Sequence, residues 1–168
     1  MKNSPIETER KYLIRMPDTA ALAAMTGARV LLIRQTYLAA PAGVTERVRR
    51  TQEGETVRFT HTVKRRLSAL SAYEDEETID EARYEALLLR ADPALRPIDK
   101  TRCAIPLNGF VYEIDVYPFW REQAILEIEL PCEDVEPPVP EFVRVIADVS
   151  GDVRYKNVSL ARQIPDIF

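Results

Sequence analysis

Eight stretches of this chain alternate apolar and polar residues with a period of two, and in most of them the polar positions carry charge. The alternation runs through Ile6 to Ile14, Val30 to Leu38, Thr45 to Thr51 and Glu55 to Arg66. It returns at Ala72 to Ile79, Pro97 to Ile105, Val111 to Tyr117 and Ala124 to Leu130. Residues two apart on a strand share a face. Glu7, Glu9 and Lys11 therefore lie side by side, as do Arg47 and Arg49, then Thr62, Lys64 and Arg66. Glu74 and Glu76 follow, then Lys100 and Arg102, Glu113 and Asp115, and Glu127 and Glu129. The opposite faces of the last two strands, Tyr112, Ile114, Val116 and Leu126, Ile128, Leu130, are strongly apolar.

An antiparallel sheet with one wet face gives the same alternation, and for any one strand that is the plainer reading. Two features weigh against it for the set. The charges recur as same-sign neighbours, an unfavourable arrangement unless a counterion or ligand resolves it. The apolar faces, in turn, suit helices packed outside the sheet. If the sheet closes with those faces outward, the charged faces line its interior. The expected fold is mainly β (α+β): a closed eight-stranded antiparallel β-barrel with a few helices outside, residues 1–168 forming one domain. Glu53-Gly54 and Asn108-Gly109 suit hairpins. Asp18 can cap a helix through Ala20 to Met25 ending near Gly27, and Asp80 one through Ala82 to Ala91 stopped by Pro93. A third helix is expected from about Pro140 to Ala147.

An interior crowded with acids and bases is costly without a partner. A polyanion together with a hard cation satisfies both sets. The residue inventory narrows the chemistry further. His61 is the only histidine, and neither Cys103 nor Cys132 has a metal-ligand spacing. Multi-histidine zinc sites are thereby excluded. Paired carboxylates suit Mg2+ or Mn2+, which prefer oxygen. Arg and Lys suit phosphate oxygens, and the implied reaction is phosphoryl transfer. A net charge of −4, with 27 acidic against 23 basic residues, argues against a nucleic-acid partner. No apolar run spans a bilayer, and the start of the chain lacks a signal-peptide stretch. The expectation is a cytoplasmic protein with free buried thiols, no membrane partner, and no face that marks a homodimer, although one is allowed.

The order of these segments resembles the CYTH superfamily, the triphosphate tunnel metalloenzymes that include class IV adenylate cyclase and thiamine triphosphatase. Glu7-Thr8-Glu9-Arg10-Lys11 has the Glu-x-Glu-x-Lys signature, and Ile33 to Leu38 and Arg47-Val48-Arg49 are similar to the family's second and third strands. Val63-Lys64, Tyr73 to Glu76 and Lys100-Thr101-Arg102 resemble the next three, and Tyr112 to Asp115 and Leu126 to Pro131 the last two. The tail from Asp148 to Tyr155 also resembles the family's ending. The resemblance covers nearly the whole chain. It implies that Glu7, Glu9, Glu127 and Glu129 hold Mg2+ or Mn2+, and that Lys11, Arg47, Arg49, Lys64 and Arg102 grip the triphosphate. Glu74, Glu76, Glu113 and Asp115 would be further tunnel acids, orienting bases or positioning water.

Small bacterial-type members hydrolyse inorganic tripolyphosphate. Some are thought to use a Lys–Tyr pair, which Lys11 and Tyr37 match, although mid-strand tyrosines more often simply pack. The implied activity is metal-dependent hydrolysis of a triphosphate. The alternatives are an adenylate cyclase, a thiamine or nucleoside triphosphatase, and a non-catalytic polyphosphate- or nucleotide-binding module. Three details depart from the family pattern: the apolar loop Ala39 to Val44, the acids Asp75 and Glu77, and Lys156, which either reaches the tunnel or, the plainer role, is surface charge.

Overall fold

A strand that buries one face still needs a hydrogen-bonding neighbour on each edge. This chain supplies both by closing its sheet. In the computed structural model, which describes residues 5–166, the strands are β1 (Ile6–Arg15), β2 (Arg29–Leu38), β3 (Val44–Glu53), β4 (Thr56–Arg66), β5 (Ser71–Ile79), β6 (Ile98–Leu107), β7 (Phe110–Val116) and β8 (Gln123–Glu129). Each lies within a residue or two of its expected bounds. The start of the chain, where a leader sequence was judged absent, falls partly outside the described residues.

The hydrogen-bonded order is β5-β4-β3-β2-β6-β7-β8-β1, and β1 meets β5 antiparallel through Ile6, Glu7 and Thr8 opposite Tyr73, Ala72 and Ser71. That seam closes an eight-stranded antiparallel barrel. Both expected hairpins form. Gly54 takes a φ of 57° in the β3–β4 turn, and Asn108 and Gly109 take 55° and 77° in the β6–β7 turn, a left-handed pair that Asn-Gly adopts readily.

Two expected helices are present. In α1 (Thr19–Ala23) the Asp18 carboxylate accepts from the N–H groups of Ala20 and Ala21, and in α2 (Glu81–Leu88) Asp80 accepts from Arg83 at 2.7 Å. The third does not form. Val145–Asp148 is instead a ninth strand, β9, paired with β1 at Tyr12, Leu13 and Ile14. The reason lies in the seam. β5 leaves β1 after Thr8, so the far half of that β1 edge needs a partner, and β9 supplies it. The helical tail comes later, as a 3-10 turn at Val153–Tyr155 and α3 (Asn157–Arg162).

The apolar faces point outward as expected. Tyr112, Ile114, Leu126 and Ile128 are fully buried there with Ile14 and Ile105. Their cover is α1 through Leu22, and the 130–143 loop through Leu130, Phe142 and Val143, more than helices. Tyr112 Oη donates to the Pro138 carbonyl of that loop at 2.7 Å. A second cluster fills part of the interior. Leu13, Tyr37, Tyr117 and Ile125 share their strands' charged faces, and they pack with Trp120, Tyr155 and Leu160 to plug one side of the barrel end. Cys103 is buried and Cys132 is exposed, both free, so only the first matches the expectation of buried thiols.

Leu126→Ala removes a fully buried side chain from the outer layer. It is expected to lower the unfolding free energy by about 2–5 kcal/mol, read from the urea midpoint at an unchanged slope.

Candidate active site

Closure gathers onto one cavity side chains that lie far apart in sequence. The cavity holds about 460 Å³ and is lined by Glu7, Glu9 and Lys11 from β1, Tyr37 from β2, Arg47 and Arg49 from β3, Lys64 from β4, and Glu74 and Glu76 from β5. Arg102, Glu113, Glu127 and Glu129 complete its far wall. Every sequence-predicted site residue except Asp115 therefore faces one space. Asp115 is fully buried in that far wall, held by Lys100 and Arg102.

Arg102 organises this wall. Its Nε and Nη2 donate to the two Asp115 oxygens at 2.7 and 2.8 Å, Nη2 also donates to Glu127 at 2.7 Å, and Nη1 pairs with Glu113. Lys100 Nζ donates to Asp115 at 2.6 Å, and Lys11 Nζ lies 2.9 Å from the other Glu127 oxygen. Burial alone would push Asp115 up, but Arg102 and Lys100 hold it below its ordinary value of 3.8. Glu127 is likewise held well below 4.5 by Lys11, Lys100 and Arg102, against its own burial. Burial and the neighbouring Arg102 pull Lys100 down to about 8. Arg102 has thus committed most of its donors to carboxylates, and its foremost role is to neutralise and orient them.

The opposite pattern holds along β1 and β8. Glu9 stands directly across from Glu129, with Glu7 two residues away. Facing like charges are destabilising. Burial and Glu127 raise the Glu9 carboxyl, and burial with Glu7, Glu74 and Glu9 raises that of Glu129. Glu74 Oε2 is buried without a hydrogen bond, its nearest ammonium being Lys64 at 3.3 Å. Among the described residues no three acids are gathered closely enough to enclose an ion by themselves. The donor chemistry nevertheless fits a hard divalent cation, because an oxygen-only, mutually repelling set relaxes when such an ion binds.

Other cations remain free for an anion. The Nε atoms of Arg47 and Arg49 are buried without hydrogen-bond partners. Burial, Arg47 and Arg102 bring Arg49 down to about 10, as expected of a guanidinium short of counter-charge. Its Nη2 donates to Gln35 at 3.1 Å, and Gln35, fully buried, donates to Tyr37 Oη at 2.9 Å. Lys11 and Tyr37 share the cavity, but among the described residues they do not hydrogen-bond one another. The Lys11 ammonium lies against Glu127 and, at 3.7 Å, Glu9, and these hold it above its ordinary range despite burial. It stays protonated at neutral pH.

Sequence reasoning passed over two contributors and favoured the wrong alternative for a third. Lys156, for which the sequence allows a place in the tunnel but favours surface charge, lines the cavity, and burial with Arg66, Lys11 and Lys64 nearby lowers its pKa. Arg66 lines it too, and its place on the Thr62–Lys64–Arg66 face was the available signal. Gln35 sits two residues from Tyr37 on the same face, but an uncharged residue draws no attention in a search for charges.

Asp115→Ala leaves Lys100 and Arg102 buried without their central carboxylate. The expected cost is about 3–5 kcal/mol in urea unfolding. Asp115 and Glu127 titrate below their ordinary values, so their stabilisation is complete above about pH 5 and drains away as pH falls through the depressed values. Asp115→Asn is accordingly expected to flatten the acid side of the stability–pH profile.

No protein-family model matches the chain, and no curated protein matches it. Solved structures do. The inorganic triphosphatase NE1496 is 29% identical with a TM-score of 0.55, over 95% of this chain and 97% of that one. The PH1819 and PH1012 proteins from Pyrococcus horikoshii are 19% and 22% identical, with TM-scores of 0.60 and 0.56. Each match covers 76% of this chain, and 79% and 80% respectively of theirs, showing the fold alone. The closed eight-stranded barrel thus has the triphosphate tunnel, or CYTH, fold, and the chain is similar over nearly its whole length to an inorganic triphosphatase of that fold.

Proposed function

We propose that this protein hydrolyses a triphosphate, inorganic tripolyphosphate foremost, with Mg2+ or Mn2+ as cofactor. The observation that carries the reading is one cavity with the unpartnered guanidinium Nε atoms of Arg47 and Arg49 on one side and the crowded carboxylates Glu9 and Glu129 on another. The lining has seven bases and seven acids, so a bare polyanion meets as much repulsion as attraction. Anion and divalent cation together relieve both walls. The inorganic triphosphatase NE1496, similar along nearly its whole length, supports the same reading.

In this reading Arg47, Arg49, Lys64, Arg66 and Lys156 bind and orient phosphate oxygens, with Arg102 completing the wall behind them. Glu7, Glu9 and Glu129, with Glu127 beside them, would hold the metal, which when bound neutralises phosphate charge and activates water. Water attacks a terminal phosphorus, the bridging P–O bond breaks, and the bridging oxygen leaves with pyrophosphate. Burial, acting against the pull of Arg102, raises Glu113 to about 7, which suits it to take the water's proton. Lys11, held protonated, stabilises charge on the departing oxygen, and the buried Tyr37 hydroxyl can donate to it beside Arg47. The two free thiols suit a reducing cytoplasm.

Purified protein with Mg2+ or Mn2+ is expected to release phosphate from tripolyphosphate, whereas no release from tripolyphosphate, ATP or thiamine triphosphate would sink the proposal. Glu9→Gln is expected to lose turnover by about 100-fold or more, as when a metal-site carboxylate is removed, with triphosphate affinity changed far less. Arg49→Ala is expected to weaken calorimetric binding of tripolyphosphate by about tenfold or more, the loss of a charge-assisted contact.

A further inference from the structure

Arg102 and Arg49 both line the cavity, and they are held in different ways. Arg102 is oriented by carboxylates, which cancel its charge as they fix it. Arg49 is oriented by an amide: its Nη2 donates to Gln35 Oε1 at 3.1 Å. Gln35 stands directly across from Arg49 in the β2–β3 register, as Tyr37 does from Arg47, so the contact is built into the strand pairing. A neutral partner fixes the guanidinium without cancelling its charge, and Arg49 Nε is left buried with no hydrogen bond.

The same amide decides what the Tyr37 hydroxyl can do. A guanidinium has no acceptor, so the Gln35 oxygen must face Arg49 and the Gln35 NH2 must face Tyr37. That NH2 donates to Tyr37 Oη at 2.9 Å. The Arg47 guanidinium, which also bears on this oxygen, is likewise only a donor. Burial keeps the phenol protonated against the pull of Arg47 and Arg49. Tyr37 therefore carries a hydrogen that is bonded to no acceptor among the described residues, on a side chain that lines the cavity. A buried donor without an acceptor is costly, and a phosphate oxygen is the acceptor this one lacks.

We infer that Gln35 is a positioning residue for the reaction: it turns the Tyr37 O–H toward the phosphate oxygens of the substrate and steadies Arg49 for the same anion without neutralising it. The inference rests on the triphosphatase reading above and adds to it a residue that acts only through its neighbours, since Gln35 is fully buried and not on the cavity wall. As the bridging P–O bond breaks and charge gathers on the departing oxygen, the Tyr37 hydrogen bond to that oxygen strengthens, and the proton stays on the phenol. The amide is essential to this role. A glutamate of the same length would accept from both neighbours, cancel the charge of Arg49 and draw the Tyr37 hydrogen away from the cavity.

The test measures tripolyphosphate hydrolysis by Gln35→Met and Gln35→Glu, each alone and combined with Tyr37→Phe, with urea midpoints to establish that the variants fold. Tyr37→Phe alone is expected to lower kcat about tenfold or more. Gln35→Met keeps the side-chain length and removes the bonds to Arg49 and Tyr37. It is expected to lower kcat about three- to tenfold in the presence of Tyr37, and by less than about twofold when added to Tyr37→Phe. Gln35→Glu retains the Arg49 contact and so serves as the second variant. It is expected to lower kcat at least as far, again only where Tyr37 is present, and to raise KM about tenfold as Arg49 is neutralised. Equal kcat losses with and without the Tyr37 hydroxyl, from either Gln35 variant, mark a packing role and overturn the inference. An unchanged kcat in Gln35→Met or in Tyr37→Phe overturns it as well. Each of those results leaves the triphosphatase reading standing, whereas wild type that hydrolyses no triphosphate refutes that reading and the inference with it.

Discussion

The interior depends on a single guanidinium. Arg102 binds Asp115, Glu127 and Glu113 at once, and Lys100 and Lys11 complete the neutralisation of Asp115 and Glu127. Without such a hub, three acids brought together by adjacent strands would repel each other in a space from which water is partly excluded. With it, one half of the tunnel is electrostatically settled, and the unsettled charges lie elsewhere: Glu9 on β1 facing Glu129 on β8, and Arg47 and Arg49 on β3. Binding chemistry is concentrated where the protein has left its own charges unresolved.

The outer layer makes that interior affordable. Tyr112, Ile114, Leu126 and Ile128 bury an apolar surface against α1 and the 130–143 loop, and this burial offsets part of the cost of enclosing ions. At the seam β1 changes partners, from β5 at residues 6–8 to β9 at residues 12–14. Between them Lys11 is held through its backbone, its N–H donating to Ser150 Oγ at 2.9 Å and its carbonyl accepting from Val149 at 2.9 Å. The strand that carries Glu7, Glu9 and Lys11 is thus fixed on both edges although no single neighbour runs its full length.

Much of this was legible in the sequence because strand periodicity is local. Alternation at Val111 to Tyr117 assigns Glu113 and Asp115 to one face whatever the strand pairs with, and the same holds for Glu127 and Glu129. The tail was not legible. Phe142, Val143, Ile146 and Ala147 have helical spacing, yet Val145–Asp148 pairs as β9 because an open β1 edge waits for it. Lys156 reads as surface charge in isolation, and only the return of the chain across the barrel mouth brings it to the cavity.

The sequence by itself determined the strands, their charged and apolar faces, and the residue types available for chemistry, since all three follow from side-chain identity and the two-residue repeat of extended backbone. Only the tertiary structure decided which charges satisfy one another. Asp115 and Glu129 look equivalent along the chain, yet Asp115 is buried against Arg102 and Lys100, whereas Glu129 faces Glu9 across β1 and β8. That difference arises from strand order and register, which set Asp115 against bases on the neighbouring hairpin strand but bring Glu9 to Glu129 from more than a hundred positions away, and Coulomb interactions depend on distance in space rather than along the chain.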